Sequence, residues 1–309
     1  MTMIETKALT KRFDGFAALA EMELHVPKGC VYGLVGPNGA GKTTLIRHLA
    51  GVYQPDSGIV LIDGVPVWEN QKIKERIVHI PDDLYFMPSS TINDLVGYYK
   101  YLYPRFDTER FEKLKTAFPL DLKKRLNRFS KGMQKQAALW LALCCTPDVM
   151  LLDEPVDGLD PVARRIVWSL ILRDVAERGT TVLISSHNLR ELDGISDHIG
   201  IMRDGKLILE RALADLQGDV TKLQVVFSKT GTDADTDAPG DVMQLPGLEI
   251  LHTSKNGRLA EYIVRGNADS VLSAVHAMDE PPYIADAVPL TLEEIFIYEL
   301  GGVNYDGLI

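Results

Sequence analysis

The nine residues GPNGAGKTT, Gly36 to Thr44, are the stretch whose residue types and spacing constrain chemistry most tightly. They fit G-x-x-x-x-G-K-[ST], with Gly36, Gly41, Lys42 and Thr43 at the fixed positions. Pro37, Asn38, Gly39 and Ala40 span the loop, and Thr44 follows it. Glycines so spaced let main-chain N–H groups converge on phosphate oxygens, and a following helix adds the partial positive charge of its N-terminus. Lys42 is placed to reach β- and γ-phosphates, and the Thr43 hydroxyl to ligate Mg²⁺. An apolar strand, CVYGLVG, runs into the loop, and a helical run, TTLIRHLAG, leaves it. A glycine-rich turn that binds nothing has no need of that context. The expected role is nucleotide binding.

A second constellation lies at VMLLDEP, where an apolar strand ends in Asp153 and Glu154. Strands of a parallel sheet share their C-terminal edge with a phosphate loop, so both acids are expected to point toward the γ-phosphate. Asp153 suits Mg²⁺, through water, and Glu154 suits a general base that orients the attacking water. Taken alone, two acids can equally well cap a strand; the phosphate loop is what favours the chemical reading. FSKGMQKQ starts a helix with Ser130 as N-cap and Gly132 close behind, a further anion site. Two anion-binding helix starts in one chain invite a shared ligand. ISSH puts His187 just past a third strand, near the same edge. A histidine there is more often structural, and its weight comes from the combination.

The elements that must position these groups alternate between strand and helix over the first two thirds of the chain. Cys30–Gly36, Asp148–Glu154 and Thr180–Ser186 read as buried parallel strands. His198–Leu209 reads as a hairpin turning at Asp204-Gly205. A helical pattern runs from Ile92 to Cys145, with breaks near Pro104 and Pro119, and marks an insertion at about residues 88–147. The spacing predicts an α/β nucleotide-binding core over 1–217 and a small α+β domain over 218–309. The smaller domain is expected to hold strands near Leu223–Phe227 and Glu249–Val264, a helix near Ala268–Met278, and a final helix opened by a Thr291/Glu294 capping box.

Bulk properties exclude several classes. With 309 residues, 46% hydrophobic and 25% charged, the chain is an ordinary globular sequence. Its net charge of −10 is concentrated from residue 215 on, where 16 acidic residues face 5 basic ones; a phosphate backbone would be repelled there. No apolar run reaches the roughly 18–20 residues needed to span a bilayer, and the opening MTMIETKALTKRF has neither signal- nor transit-peptide pattern. Cys30, Cys144 and Cys145 are odd in number and lack CxxC spacing, which fits free thiols in a reducing cytoplasm. The Asp233-x-Asp235-x-Asp237 run has Ala238 and Gln244 where a calcium loop needs glycine and an acid, so it reads as a solvated loop.

GPNGAGKTT, FSKGMQKQ, VMLLDEP, DGLDP (Asp157 to Pro161) and SSH occur in the order and spacing of ABC-transporter ATP-binding subunits, and the resemblance covers roughly residues 3–214. The FSKGM form of the signature and the ending LTLEEIFIYELG resemble the ABC-2-type exporter subgroup. The resemblance implies a P-loop NTPase core of ABC type with a helical subdomain. It also implies a head-to-tail dimer, with itself or with a second ABC ATPase, that sandwiches ATP and Mg²⁺. In that arrangement Ser130, Lys131, Gly132, Met133 and Gln134 face ATP bound by the partner chain. Asp160 sits in the loop coupling the two sites, His187 holds the γ-phosphate and attacking water, and Phe13 stacks on adenine. The implied work is ATP hydrolysis that drives export through a separate permease from the cytoplasmic face of the membrane. A non-transport ABC ATPase acting on ribosomes or DNA is the alternative, disfavoured by the absence of a second ATPase domain or coiled coil. A regulatory module with little hydrolysis is disfavoured by Glu154 and His187.

The sequence departs from the family at IVHIPDD, which places Asp82 where these proteins usually carry a glutamine that meets Mg²⁺. A carboxylate accepts hydrogen bonds but donates none, so the expected role is an anionic oxygen ligand to the metal. Without metal the same charge should repel the γ-phosphate. Downstream, the aromatic-rich segment around Tyr85, Phe86, Met87, Tyr98, Tyr99, Tyr101, Tyr103 and Phe106 is expected to serve partly as core and partly as the surface that meets the permease.

Overall fold

The computed structural model describes residues 1–226, 248–256, 259–278 and 282–299. The polar run 228–241, the turn at Gly257 and the chain beyond Glu299 lie outside them. The chain divides into two compact units, one from Met1 to Glu210 and the other from Arg211 onward.

The first unit contains two sheets. An antiparallel one, in the order β2-β1-β4-β5, is built from β1 (Thr2–Phe13), β2 (Phe16–Pro27), β4 (Ser57–Ile62) and β5 (Val65–Pro66). Asp14 and Gly15 join β1 to β2 with φ of +48° and +86°, the left-handed pair that a two-residue hairpin turn requires. The other sheet contains β3 (Val31–Val35), β6 (Ile77–Ile80), β7 (Val149–Asp153), β8 (Thr181–Ser186), β9 (His198–Arg203) and β10 (Lys206–Ala212), in the order β10-β9-β3-β8-β7-β6. From β9 through β6 its neighbours are parallel. Helix α1 (Lys42–Leu49) follows β3, and its buried Leu45, Ile46 and Leu49 join Leu9, Leu24, Val60, Leu34 and Leu151 in one core between the sheets.

The insertion between β6 and β7 is helical: a short α2 (Gln71–Lys74) precedes β6, and α3 (Ile92–Leu102), α4 (Thr108–Leu114) and α5 (Lys131–Cys144) come after it. Thr91 and Asp94 form a capping box at the start of α3, and Asp107 caps α4. Trp140 of α5 is fully buried, stacks on Phe111 at 4.4 Å between ring centroids and donates its indole N–H to the Phe111 carbonyl. The long α6 (Pro161–Arg178) carries proline in its first turn and stops at Gly179, whose φ of +68° suits a residue without Cβ. A four-residue α7 (Leu189–Leu192) follows β8 and is capped by Asn188.

Past α8 (Leu213–Asp219), the second unit is an antiparallel sheet in the order β12-β13-β11-β14, formed by β11 (Val220–Val226), β12 (Ile250–Asn256), β13 (Leu259–Arg265) and β14 (Ile284–Val288). Helix α9 (Ala268–His276) contributes Val271 and Val275 to a core with Leu223, Tyr262 and Val264. The last helix, α10 (Leu292–Glu299), starts with the reciprocal Thr291–Glu294 bonds of a capping box. Lys222 pairs with Glu294 at 2.7 Å.

One buried ion pair ties the helical insertion to α6. Arg110 of α4 donates to Asp174 of α6 at 2.6 Å, and Asp174 is 3% exposed. Burial pushes the Asp174 carboxyl up, and Arg110 opposes that shift. Removing Arg110 leaves the buried Asp174 only the longer, more exposed contact with Arg178 at 3.6 Å, whereas an apolar pair leaves no buried charge. Arg110→Met is therefore expected to lower stability by about 3–5 kcal/mol, and Arg110→Met with Asp174→Leu to recover most of the loss. Denaturant unfolding of both variants checks this; a single variant within about 1 kcal/mol of wild type would show the pair to be energetically idle.

Candidate active site

Parallel register brings several of the candidate site residues to one edge of the larger sheet. Val35 pairs with Ser186, Asp153 with Ser185, and Ile80 with Leu152, so β3, β8, β7 and β6 end side by side. The loop Gly36–Gly41, Asp153 and Glu154, His187 and Asp82 all follow from those four ends. Two loop glycines are dictated by space. A Cβ on Gly36 would lie 2.4 Å from the Met202 carbonyl oxygen, and one on Gly41, with φ of +104°, would lie 2.5 Å from the Ala18 carbonyl oxygen. Lys42, the first residue of α1, is buried and donates to the carbonyls of Gly36 at 2.6 Å and Pro37 at 3.3 Å. Burial pulls its ammonium pKa down, and the carboxylates of Glu154 and Asp153 push it back up.

Asp153 is buried, and its Oδ1 accepts a short hydrogen bond from the Ser185 hydroxyl. Its Oδ2 is buried with no hydrogen-bond partner among the described residues. Glu154 adopts a left-handed backbone, φ +48°, a conformation that costs a residue with a Cβ about 1–2 kcal/mol. Several contacts hold it there. Its N–H meets the Ser185 carbonyl at 3.2 Å, its carbonyl accepts from Lys135 at 2.7 Å, and its Oε1 pairs with His187 Nδ1 at 3.0 Å. Burial raises the Glu154 carboxyl pKa, while His187 and Lys42 lower it. A carboxyl so placed can accept a proton from water. His187 is itself exposed.

Ser130 caps α5, its hydroxyl accepting from the Met133 N–H at 3.2 Å. Lys131 is exposed and Gln134 reaches back to the Leu126 and Phe129 carbonyls. Gly132 is dictated by a neighbour: a Cβ there would stand 2.6 Å from the Gly158 carbonyl oxygen. The signature helix thus sits directly on the loop before α6. Asp160 in that loop uses Oδ1 to cap α6, accepting from Val162 and Ala163. Phe13, at the tip of the β1–β2 hairpin, is 40% exposed, lies edge-on to Tyr53 and carries Lys11 over its ring.

Asp82 is about half exposed, but its Oδ1 is taken by Lys135 at 3.0 Å. The sequence reading expected an oxygen ligand at this position and did not anticipate that partner. It named neither Lys135 nor Ser185, the side chains that contact Asp82, Asp153 and the Glu154 main chain. Ser185 lies inside the quoted SSH run, and Lys135 sits in a helix otherwise destined for burial, beside the signature.

The family model described as ABC transporter matches residues 19–157. The chain is 32% identical over 300 residues to the ABC transporter ATP-binding protein YtrB of Bacillus subtilis (strain 168), covering 97% of this chain and 99% of the relative. It is 30% identical over 312 residues to the daunorubicin resistance ATP-binding protein DrrA3 of Streptomyces coeruleorubidus, covering 97% and 96%. Among solved structures, an ATP-binding subunit of an ABC transporter superposes with a TM-score of 0.65 at 26% identity, covering 70% of this chain and 92% of that one. With a phosphate loop and a strand-end Asp-Glu pair on one edge, and the start of α5 packed on the loop before α6, this chain belongs to the ABC transporter ATP-binding proteins, the subunits whose ATP hydrolysis drives transport.

Proposed function

We propose that the chain is the ATPase of an exporter, working on the cytoplasmic face of the membrane through a separate permease and in a head-to-tail dimer. The observation that carries this reading is the convergence at one sheet edge of Lys42, Asp153 and Glu154, with the start of α5 packed against the loop that follows them. Relatives named for drug resistance and for bacitracin transport support the direction of transport.

In this reading the main-chain N–H groups of Asn38–Thr44 and the Lys42 ammonium bind the triphosphate. Phe13 offers an accessible ring to the adenine. The residues present also fit Mg²⁺: Asp153 holds a buried carboxylate oxygen with no hydrogen-bond partner among the described residues, and Thr43 lies in the first turn of α1. Bound Mg²⁺ would supply charge stabilisation to the phosphate oxygens. Ser185 orients Asp153, and the Lys135 and Ser185 contacts hold Glu154 in its left-handed conformation, with the carboxylate ready to take a proton from the attacking water. His187 steadies Glu154 through Oε1. The start of α5, exposed at Ser130 and Lys131, faces the ATP of a second chain, and Asp160 orders the loop between the two sites by capping α6.

The permease contact is assigned to the helical insertion. Tyr85 and Tyr101 are 84% and 87% exposed, with Met87, Tyr98 and Leu102 also open to solvent. Tyr101 and Leu102 line a groove with Glu69, Lys74 and Glu75. Large apolar groups exposed together mark an interaction surface. No helix among the described residues is long and apolar enough to cross a membrane, and a separate permease would supply the path.

Glu154→Gln keeps the shape of the side chain and removes the base. It is expected to reduce steady-state hydrolysis by about 10²-fold or more while ATP binding persists and ATP-bound dimers accumulate. An unchanged turnover rate would refute the general-base assignment. Gly132→Ala drives a methyl into the Gly158 carbonyl and is expected to cost about 10²-fold in hydrolysis through misplacement of the signature helix, with ATP binding by the isolated chain nearly unchanged. Wild-type turnover in that variant would show that the packing of α5 on the loop is not needed for catalysis.

A further inference from the structure

Lys135 is a buried lysine on α5, 7% exposed in its side chain, just ahead of the wholly buried run Ala137–Cys144. An ammonium taken out of water is costly unless it is paired and hydrogen-bonded. This one donates to the Glu154 carbonyl at 2.7 Å and to Asp82 Oδ1 at 3.0 Å. Three separate parts of the chain therefore meet at a single nitrogen: the signature helix, the segment after β6, and the segment after β7.

We propose that Lys135 is a positioning residue for hydrolysis, whose ammonium cancels the charge of Asp82 beside the phosphate site while it fixes the main chain of Glu154. The second half of this rests on the reading of Glu154 given above. The first half follows from charge and place. Asp82 lies two residues beyond the end of β6, on the same edge as the phosphate loop, and an uncompensated carboxylate there would repel a triphosphate. Paired with Lys135, the position is electrically neutral, as an amide side chain would be, and the carboxylate remains half exposed on the solvent side. Because the same ammonium holds Glu154, any shift of α5 is transmitted at once to Asp82 and to the glutamate. The pair makes a carboxylate at position 82 compatible with ATP binding.

The test is ATP affinity of the full chain in EDTA at low salt, which reads the charge without metal or turnover. Lys135→Met is expected to weaken binding about fivefold, the size of one partly screened charge contact. Adding Asp82→Asn to that variant is expected to restore affinity to within about twofold, and about 1 M salt to erase the difference between the single variant and wild type. Lys135→Arg, which keeps the charge, is expected to bind nearly as wild type does. A lysine that merely supports the fold would leave the double variant no better than the single one. That result, or wild-type affinity in Lys135→Met, overturns the proposal. If Lys135→Met does not fold, Asp82→Asn alone decides: it removes the countercharge of the buried ammonium while keeping an acceptor oxygen, and is expected to lower the thermal midpoint and to tighten ATP binding at low salt, and an unchanged affinity overturns the proposal. Each readout is binding or stability, so an active Glu154→Gln enzyme would defeat the base assignment without deciding this one.

Discussion

In-register parallel pairing of β3, β8, β7 and β6 is the constraint on which the rest of the first unit depends. Residues separated by up to about 150 positions in sequence come together because each strand stops at the same level and hands its next residues to the same edge. The flanking parts serve that alignment. The antiparallel sheet closes the core around α1, and the helical insertion enters between β6 and β7 without disturbing their pairing. A slip of one residue in a single strand would rotate Asp153 or Glu154 to the opposite face of the sheet.

Charge balance at that edge is tightly coupled. Burial lowers the Lys42 pKa and raises that of Glu154; the Glu154 and Asp153 carboxylates oppose the first shift, and His187 and Lys42 oppose the second. Lys135 donates to the Asp82 carboxylate and to the main-chain carbonyl of Glu154. The left-handed backbone at Glu154 is the kind of strain found where a structure over-determines a residue for a purpose. Here the over-determination is visible as bonds to its N–H, its carbonyl and its carboxylate from β8, α5 and the segment beyond β8.

Much of this was legible in the sequence because motif and element agreed. The phosphate loop, the Asp153-Glu154 strand end, the α5 cap at Ser130 and the hairpin at Asp204-Gly205 combine a local signal with an unambiguous context. The first antiparallel sheet was not legible. β1 breaks its alternation with register shifts near Thr6–Lys11, and Ala8 within it has a positive φ, so the two-residue period never persists long enough to read. The Lys135 contacts were hidden for a different reason. A lysine in a helix reads as a solvent-facing residue, and only the tertiary approach of Asp82 and Glu154 makes burial tolerable. Asp160 shows the converse: a motif acid expected to act between sites also carries an ordinary helix cap.

In the proposed mechanism one sheet edge gathers the nucleotide, the metal ligands and the base. The most direct measurement is a crystal structure of the Glu154→Gln chain with Mg²⁺ and ATP. The expected result has the triphosphate along the main-chain N–H groups of Asn38–Thr44 within reach of Lys42, adenine against Phe13, Asp153 in the metal shell, and Ser130 of a second chain at the γ-phosphate. Nucleotide bound away from the Gly36–Thr44 loop, or a metal whose shell excludes Asp153 and Thr43, would contradict it.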